Sequence, residues 1–518
     1  MPYGDTHPIA ALATPLAGSA LALIRTSGGG FPSGGDSGAP GAVELLARVF
    51  SRPEKLRSAR GNSIVHGWIV DPESGPGGEP KKIDEVLVSV YRAPKSYTGE
   101  DGADISCHGG IAVVKAVMAA LKKAGFRDAL PGEFSFRAFM NGKQDLTRSE
   151  SVMELVSAKT HKAREQAVRR LSGALEKEVS AIKALLVEVL AGTEIYLDYS
   201  EDEFFGNRAD DEAAGRLPDR NLAEEAGRRL KVLSELWRRE RIYADGALAV
   251  IAGRPNAGKS SLFNYLLRED RSIVTDIPGT TRDWIEALIS VEDIPLRLAD
   301  TAGIRAPVQT DKGEPAFAPA DEAERIGIQR SLELLDRADI ILYVIDGVQG
   351  ITGEDRKFLL THKEANPEKP LLVLWNKADL VRPPLPDKSE FPEQLLGVSA
   401  KTGEGIPGLL CSVARLLETP LPESLSESCG QNAAGPGTAR QKELIDTALA
   451  SVEEALALAS PCHDSPSHDS PFQGDRGEPL DIIAPLFRSA VNALGEITGE
   501  VSSADILEVM FSRFCVGK

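Results

Sequence analysis

The sequence predicts a multidomain chain that combines α/β and all-α architecture, and three observations carry that prediction. Continuous apolar runs of strand length stand in the middle of the chain, separated by helical patterns. On both sides of that segment, apolar residues recur at three- and four-residue spacing with abundant Glu, Lys and Arg. Residues 1–146 differ from both, mixing short β-type runs, helical runs and many glycines. At 518 residues the chain is too long for one hydrophobic core, and about two to four domains are expected.

The elements follow in chain order. Ala20–Arg25 and Glu85–Tyr91 read as strands and Ile111–Ala124 as a helix, so residues 1–146 form an α+β domain. Within it, Gly28–Gly41 is rich in Gly, Ser and Pro and reads as a flexible insert. From Thr147 to Ile242 the pattern is helical, as at Ile182, Leu185 and Val189. Ala247–Ala252, Asp339–Asp346 and Leu371–Trp375 are apolar runs of the kind found in a parallel sheet covered on both faces, and Leu296–Ala299 reads as a further strand. A Ser/Gly/Ala/Pro-rich linker, residues 422–438, precedes a helical pattern from Ala439 onward, interrupted by the Pro/Ser tract Ser460–Pro471. The expected domains are therefore residues 1–146, a discontinuous helical bundle of 147–244 and 427–518, and an inserted α/β domain of 245–426.

Composition excludes several classes. The N-terminus lacks a basic segment followed by an apolar one, and no apolar run approaches the roughly 20 residues that cross a bilayer. Cysteines at 107, 411, 429, 462 and 515 lack metal-ligand spacing, which points to reduced thiols and a cytoplasmic protein. A net charge of −18 argues against coating nucleic acid, though an RNA held by a local patch stays open. The basic stretches Ala163–Arg170, Arg228–Lys231 and Trp237–Arg241 read as solvated helix faces.

The chemistry concentrates in the inserted domain. Gly253-x4-Gly258-Lys259-Ser260 follows a buried strand and precedes the helix Ser261–Leu267, the context of a P-loop. Glycines let backbone N–H groups close on phosphate oxygens, Lys259 neutralises the β and γ phosphates, and Ser260 ligates Mg²⁺. Four further motifs follow in order: Thr280-Thr281, Asp300-Thr-Ala-Gly303, Asn376-Lys-Ala-Asp379 and Ser399-Ala-Lys401. Thr281 is the second Mg²⁺ ligand, Asp300 stands near the metal and Gly303 near the γ-phosphate. Asp379 accepts from both N–H groups of guanine, which selects GTP over ATP. The domain thus reads as a Ras-like P-loop α/β G domain. Its GTP-binding set is Asn256, Ala257, Gly258, Lys259, Ser260 and Ser261, then Thr275, Asp276, Ile277, Pro278, Gly279, Thr280 and Thr281. Asp300, Thr301, Ala302, Gly303, Asn376, Lys377, Ala378, Asp379, Ser399, Ala400 and Lys401 complete it. Ras-like GTPases place a water-orienting glutamine after Asp-x-x-Gly, but here Ile304 stands there. Either hydrolysis is poor or another residue supplies the function. Asn256 could also help to hold a monovalent cation against the phosphates.

Taken with Thr275–Asp283, Glu324–Ile328, Leu494–Glu500 and the terminal Phe514-Cys-Val-Gly-Lys518, these motifs resemble the MnmE (TrmE) family of tRNA-modification GTPases, of the potassium-stimulated TrmE-Era-like group. Tyr97–Asp101, His108–Gly110, Pro131–Ser135 and Arg137–Phe139 extend the resemblance into the N-terminal region. The resemblance implies a homodimer whose N-terminal domain binds folate and dimerises, working with the flavoprotein MnmG as a heterotetramer. It further implies an aminomethyl or carboxymethylaminomethyl group installed on carbon 5 of a tRNA wobble uridine. The added carbon would come from a tetrahydrofolate derivative, 5,10-methylene- or 5-formyl-tetrahydrofolate. It implies K⁺ ligands at Asn256, Thr275, Ile277 and Thr280, and Glu324 as the catalytic residue that positions water. Folate contacts map to Arg25, Glu100, Lys143 and Lys518. Cys515 reads equally as a nucleophile or a packing residue. An Era-like switch in ribosome assembly is the alternative, as is a folate-binding regulator with a vestigial GTPase.

Overall fold

The computed structural model describes residues 3, 6–29, 40–71, 80–198, 217, 219–269, 286–300, 333–367, 369–382, 395–418, 434–459, 480–501, 504–512, 514 and 516–517. They form two compact units, one from residues 1–153, 176–220 and 454–518, the other from residues 154–175 and 221–453. The core of the expected insert at 28–41 (residues 30–39) and the tract at 460–471 lie outside the described residues.

In the first unit, β1 (Ile9–Leu12), β2 (Leu21–Ser27), β3 (Ser63–Asp71), β4 (Lys81–Tyr91), β5 (Gly102–His108) and β6 (Arg127–Asp128) form a sheet in the order β3-β4-β5-β2-β1-β6. Only β1 and β6 pair in parallel among these strands. Alternation sends Ile24, Val86, Val88, Val90 and Ile105 into a core with Leu46, Val117 and Leu121. Leu21, Ile64 and Leu87 stay exposed, at 65%, 69% and 48%. The helix Ile111–Ala124 has the limits its periodicity predicts, and it ends at Gly125, whose φ of +116° suits a glycine C-cap. The ends of the 28–41 segment are pinned, since Ala42 N–H donates to Gly28 O at 2.7 Å.

The carboxy-terminal helix Ala504–Ser512 packs on the helix Glu133–Met140. Phe511 meets Phe136 edge-on at 5.5 Å and 86°, and Tyr3 and Phe514 close the same apolar cluster. Beneath the helix Glu133–Met140, Glu133 is fully buried between Arg127 and Arg137, and Arg137 continues to Glu100 at 3.0 Å.

In the second unit the order is β12-β11-β10-β7-β9-β8, from β7 (Ala247–Gly253), β8 (Glu286–Val291), β9 (Ile294–Asp300), β10 (Ile340–Asp346), β11 (Leu371–Asn376) and β12 (Leu395–Gly397). The apolar runs at β7, β10 and β11 pair in parallel as expected, and β9 joins β7 in parallel beside them. Edge strand β8 departs from that pattern and runs antiparallel to β9. The reason is the turn Glu292–Asp293, whose φ values of 47° and 68° reverse the chain in two residues. Leu262, Phe263, Leu409 and Val413 cover one face, and Leu335 and Leu359 cover the other. The same turn reaches outward. Its Asp293 carboxylate accepts from the backbone N–H groups of His161 and Lys162, at 2.8 and 2.7 Å, where the helix His161–Leu171 begins.

At the far end of that helix one sequence expectation fails. Arg170 is not on a solvated face. Its side chain is 1% exposed and pairs with Glu154 at 2.6 Å and Glu240 at 2.7 Å, on the helices Leu146–Ser157 and Arg220–Asp245. The linker reading of 422–438 also needs correction at its end, because Ala434, Gly435 and Pro436 are buried. Gly435 O lies 3.4 Å from the Arg170 guanidinium, and a Cβ on Gly437 would meet Glu154 Oε1 at 2.1 Å. A cationic group buried among helices with two carboxylates outcompetes any solvated role, because removing it strands both anions.

Arg170→Met should therefore lower unfolding free energy by about 3–5 kcal/mol in urea titrations, the cost of breaking a buried pair from one side. A pH effect is expected at Glu133. Burial disfavours its charge, but bonds from Arg127, the Leu130 N–H and Arg137 outweigh that and hold the carboxyl below its ordinary value of 4.5. A lowered folded value means that this stabilisation is complete above the ordinary value and is lost as pH falls through the folded one. Acid unfolding of wild type should show that loss, and Glu133→Gln, less stable at neutral pH, should show a shallower dependence.

Candidate functional site

Strand β7 delivers the chain into a loop that only glycine can close at both ends. Gly253 has φ of +138°, and a Cβ there would lie 2.3 Å from Val344 O. Gly258 has φ of +95°, and its Cβ would lie 2.1 Å from Asn376 Nδ2. Asn256, exposed at the crest, adopts φ of +64°, which asparagine tolerates better than other side chains. The helix Lys259–Glu269 starts directly after, so its first N–H groups and dipole converge on the loop, an arrangement that favours an anion.

Lys259 arches back over this loop, donating to Gly253 O and Arg254 O at 2.9 Å each. Burial pushes its ammonium below the ordinary value, and Asp300 opposes that shift. A second negative charge, such as phosphate, would favour the charged form further. Ser260 donates to Asp300 Oδ2 at 2.8 Å, while Asp300 Oδ1 is buried without a hydrogen-bond partner among the described residues. A hydroxyl and a bare carboxylate oxygen side by side form a hard oxygen donor set, which fits Mg²⁺.

The residues expected to recognise the base hang on the same loop. Asn376 donates to Ala257 O at 2.8 Å and accepts from the Ala400 N–H at 3.1 Å. Ser399 holds one oxygen of Asp379 at 2.7 Å, and the Ala378 N–H donates to Val398 O at 3.0 Å. Lys377, with φ of +64°, pairs with Asp346 at 2.7 Å. Burial works against the Asp346 charge, yet Lys377 and the Val348 N–H hold that carboxyl below its usual range. Asp346 escaped the sequence reading, although its place as the last residue of the β10 apolar run was a signal.

The structure brings together Ala257, Gly258, Lys259, Ser260, Asp300, Asn376, Lys377, Ala378, Asp379, Ser399 and Ala400; Ser261 and Lys401 stand exposed beside them. Thr275, Asp276, Ile277, Pro278, Gly279, Thr280, Thr281, Thr301, Ala302, Gly303 and Glu324 lie outside the described residues. Of the expected K⁺ ligands, only Asn256 is described.

In the first unit a cavity of about 200 Å³ is lined by residues that include Arg25, Ser27, Tyr91, Tyr97, Thr98 and Asp104. That volume admits part of a drug-sized molecule, since whole ligands occupy pockets of roughly 300–1,000 Å³. Aromatic walls with hydroxyls, a carboxylate and a guanidinium suit a planar polar ring such as a pterin. Glu100, only 2% exposed, stands behind this wall, accepting from Ser27 at 2.7 Å and from Arg137. Arg25 forks onto Asp104 at 3.0 and 3.4 Å and donates to Gly517 O at 3.2 Å. Lys143 is exposed, with its ammonium on Pro94 O at 2.9 Å. Lys518 and Cys515 lie outside the described residues. Sequence reasoning missed Asp104 and the packing role of Arg137, neither of which carries a local pattern.

Comparison with known proteins covers nearly the whole chain. A family model described as the MnmE helical domain matches residues 146–515, and one described as the GTP-binding protein TrmE N-terminus matches residues 8–143. The chain belongs to the MnmE (TrmE) family. A Treponema denticola relative named tRNA modification GTPase MnmE is 40% identical over 527 residues, covering 100% of this chain and 99% of its own. A relative of the same name from Carboxydothermus hydrogenoformans is 38% identical over 518 residues, covering 98% and 99%. No helix among the described residues is long and apolar enough to cross a membrane.

Gly258→Ala should abolish nucleotide binding in a fluorescent-nucleotide titration, because the added methyl displaces Asn376 from Ala257 and strains a positive φ. Circular dichroism should show the fold retained.

Proposed function

We propose that this chain hydrolyses GTP and uses the cycle to gate modification of a tRNA wobble uridine. The observation that carries the reading is a single hydrogen-bonded loop. It joins the Ser260–Asp300 pair, with its bare carboxylate oxygen, to the Asn376–Asp379–Ser399 set suited to guanine. Full-length similarity to proteins named tRNA modification GTPase extends it to tRNA.

In this reading Lys259 and the loop N–H groups bind the β and γ phosphates, and Ser260 and Thr281 hold Mg²⁺, with Asp300 beside them. Bound Mg²⁺ supplies charge neutralisation on the phosphate oxygens. Asp379, oriented by Ser399, accepts from the guanine edge. Asn256, with Thr275, Ile277 and Thr280, holds K⁺, which adds positive charge where an arginine finger would. Glu324 orients the attacking water in place of Ile304.

The domains are 1–146, 147–244 with 427–518, and 245–426. The N-terminal domain carries tetrahydrofolate through Arg25, Glu100, Lys143 and Lys518 and pairs two copies of the chain. The exposed Leu21, Ile64 and Leu87 on one sheet face support that pairing. MnmG is the flavoprotein partner, and the complex works in the cytoplasm, installing a (carboxymethyl)aminomethyl group at carbon 5.

The test is mass spectrometry of tRNA nucleosides from cells lacking this chain. The carbon-5 substituent should disappear and return on complementation; an unchanged nucleoside profile refutes the reading. Purified protein should also turn over GTP markedly faster in KCl than in NaCl at equal ionic strength, and equal rates would remove the K⁺ assignment.

A further inference from the structure

We infer that Asp104 is a positioning residue which, acting through Arg25, seats the carboxy-terminal tail against the rim of the N-terminal cavity. The inference deepens the folate reading, yet its structural half stands without it. Arg25 on β2 and Asp104 on β5 are directly opposed in the antiparallel register, so the sheet itself sets the pair. Nε and one Nη of Arg25 engage both carboxylate oxygens, at 3.0 and 3.4 Å. That two-point grip removes rotation about the guanidinium, which a single contact would leave free. The remaining Nη is thereby aimed at Gly517 O, 3.2 Å away. The Tyr97 ring, its centroid 5.9 Å from the Arg25 guanidinium carbon, limits motion on another side.

The tail is shaped for this seat. Gly517 has φ of +91°, and a Cβ there would come within 3.0 Å of Ala13 Cα and Leu12 O. Glycine suits both the positive φ and the close approach to the end of β1. Behind it, Phe514 is 7% exposed in the cluster with Phe511 and Phe136. Chain ends fray unless they are tied down. Among the described residues, the Arg25 bond is what holds Gly517, and Asp104 supplies its direction. Asp104 therefore orients Arg25 toward Gly517 at the rim of the cavity.

The test uses the full-length protein and a carboxypeptidase, with trimming past Gly517 followed by intact mass. Trimming needs the tail lifted from its seat, so its rate follows the open fraction when closure is fast. Asp104→Asn should accelerate trimming about tenfold, the loss of one charge-assisted contact. Asp104→Glu, which keeps the charge, should stay within about threefold of wild type, a rescue that simple disturbance of the strand would not give. Arg25→Lys should match Asp104→Asn, because an ammonium cannot fork. Asp84→Asn, altering a carboxylate bonded to His108 instead, should leave trimming unchanged. Unchanged rates in both Asp104→Asn and Arg25→Lys overturn the inference, as does equal acceleration in Asp84→Asn. Failure of the tRNA reading would appear separately, as an unaltered nucleoside profile in cells lacking the chain.

Discussion

The chemistry of the second unit depends on parallel pairing of β7 between β9 and β10. That register sets Ile251 beside Asp300 and Gly253 beside Val344, and the next pairing sets Asp346 beside Asn376. Parallel strands about 4.8 Å apart end on the same edge, so three loops distant in sequence must meet there. The glycines are a consequence of that convergence. Backbone and amide groups of β10 and β11 already occupy the space a side chain at Gly253 or Gly258 would need.

Away from this edge, two sets of polar contacts sit at opposite ends of one helix, His161–Leu171. At its start, His161 and Lys162 offer their N–H groups to Asp293, and Thr160 caps Ala163. Near its end, Arg170 is buried between Glu154 and Glu240. The energies differ in kind. A carboxylate at a helix start contributes about 0.3–1 kcal/mol in an exposed setting, whereas the Arg170 pairings are dear to break on one side and modest in net worth.

Much of this arrangement was legible beforehand, for identifiable reasons. Helix Ile111–Ala124 announces itself because one face must be apolar, and Gly125 marks its stop. Strands β7, β10 and β11 announce themselves because both faces are covered. Residues of the nucleotide loop have fixed spacing because backbone N–H groups, not side-chain identity, do most of the binding. By contrast, Asp293 meets a helix start 131 and 132 residues away, and Arg25 meets Asp104 79 residues away. Neither pair leaves any periodic trace. Arg170 misled the reading for a related reason, since a run of Arg and Glu looks the same whether it faces water or two buried carboxylates.

The Glu292–Asp293 turn has a mechanical corollary. Strand β9 runs from that turn to Asp300, seven residues or about 20 Å of extended chain. It is laddered to β7 and β8, which leaves little slack along its axis. One end carries Asp300 beside Ser260, and just beyond the other the Asp293 carboxylate accepts from the first amides of a helix. The strand is therefore a spacer: it fixes the span between the Ser260–Asp300 pair and the start of the helix His161–Leu171.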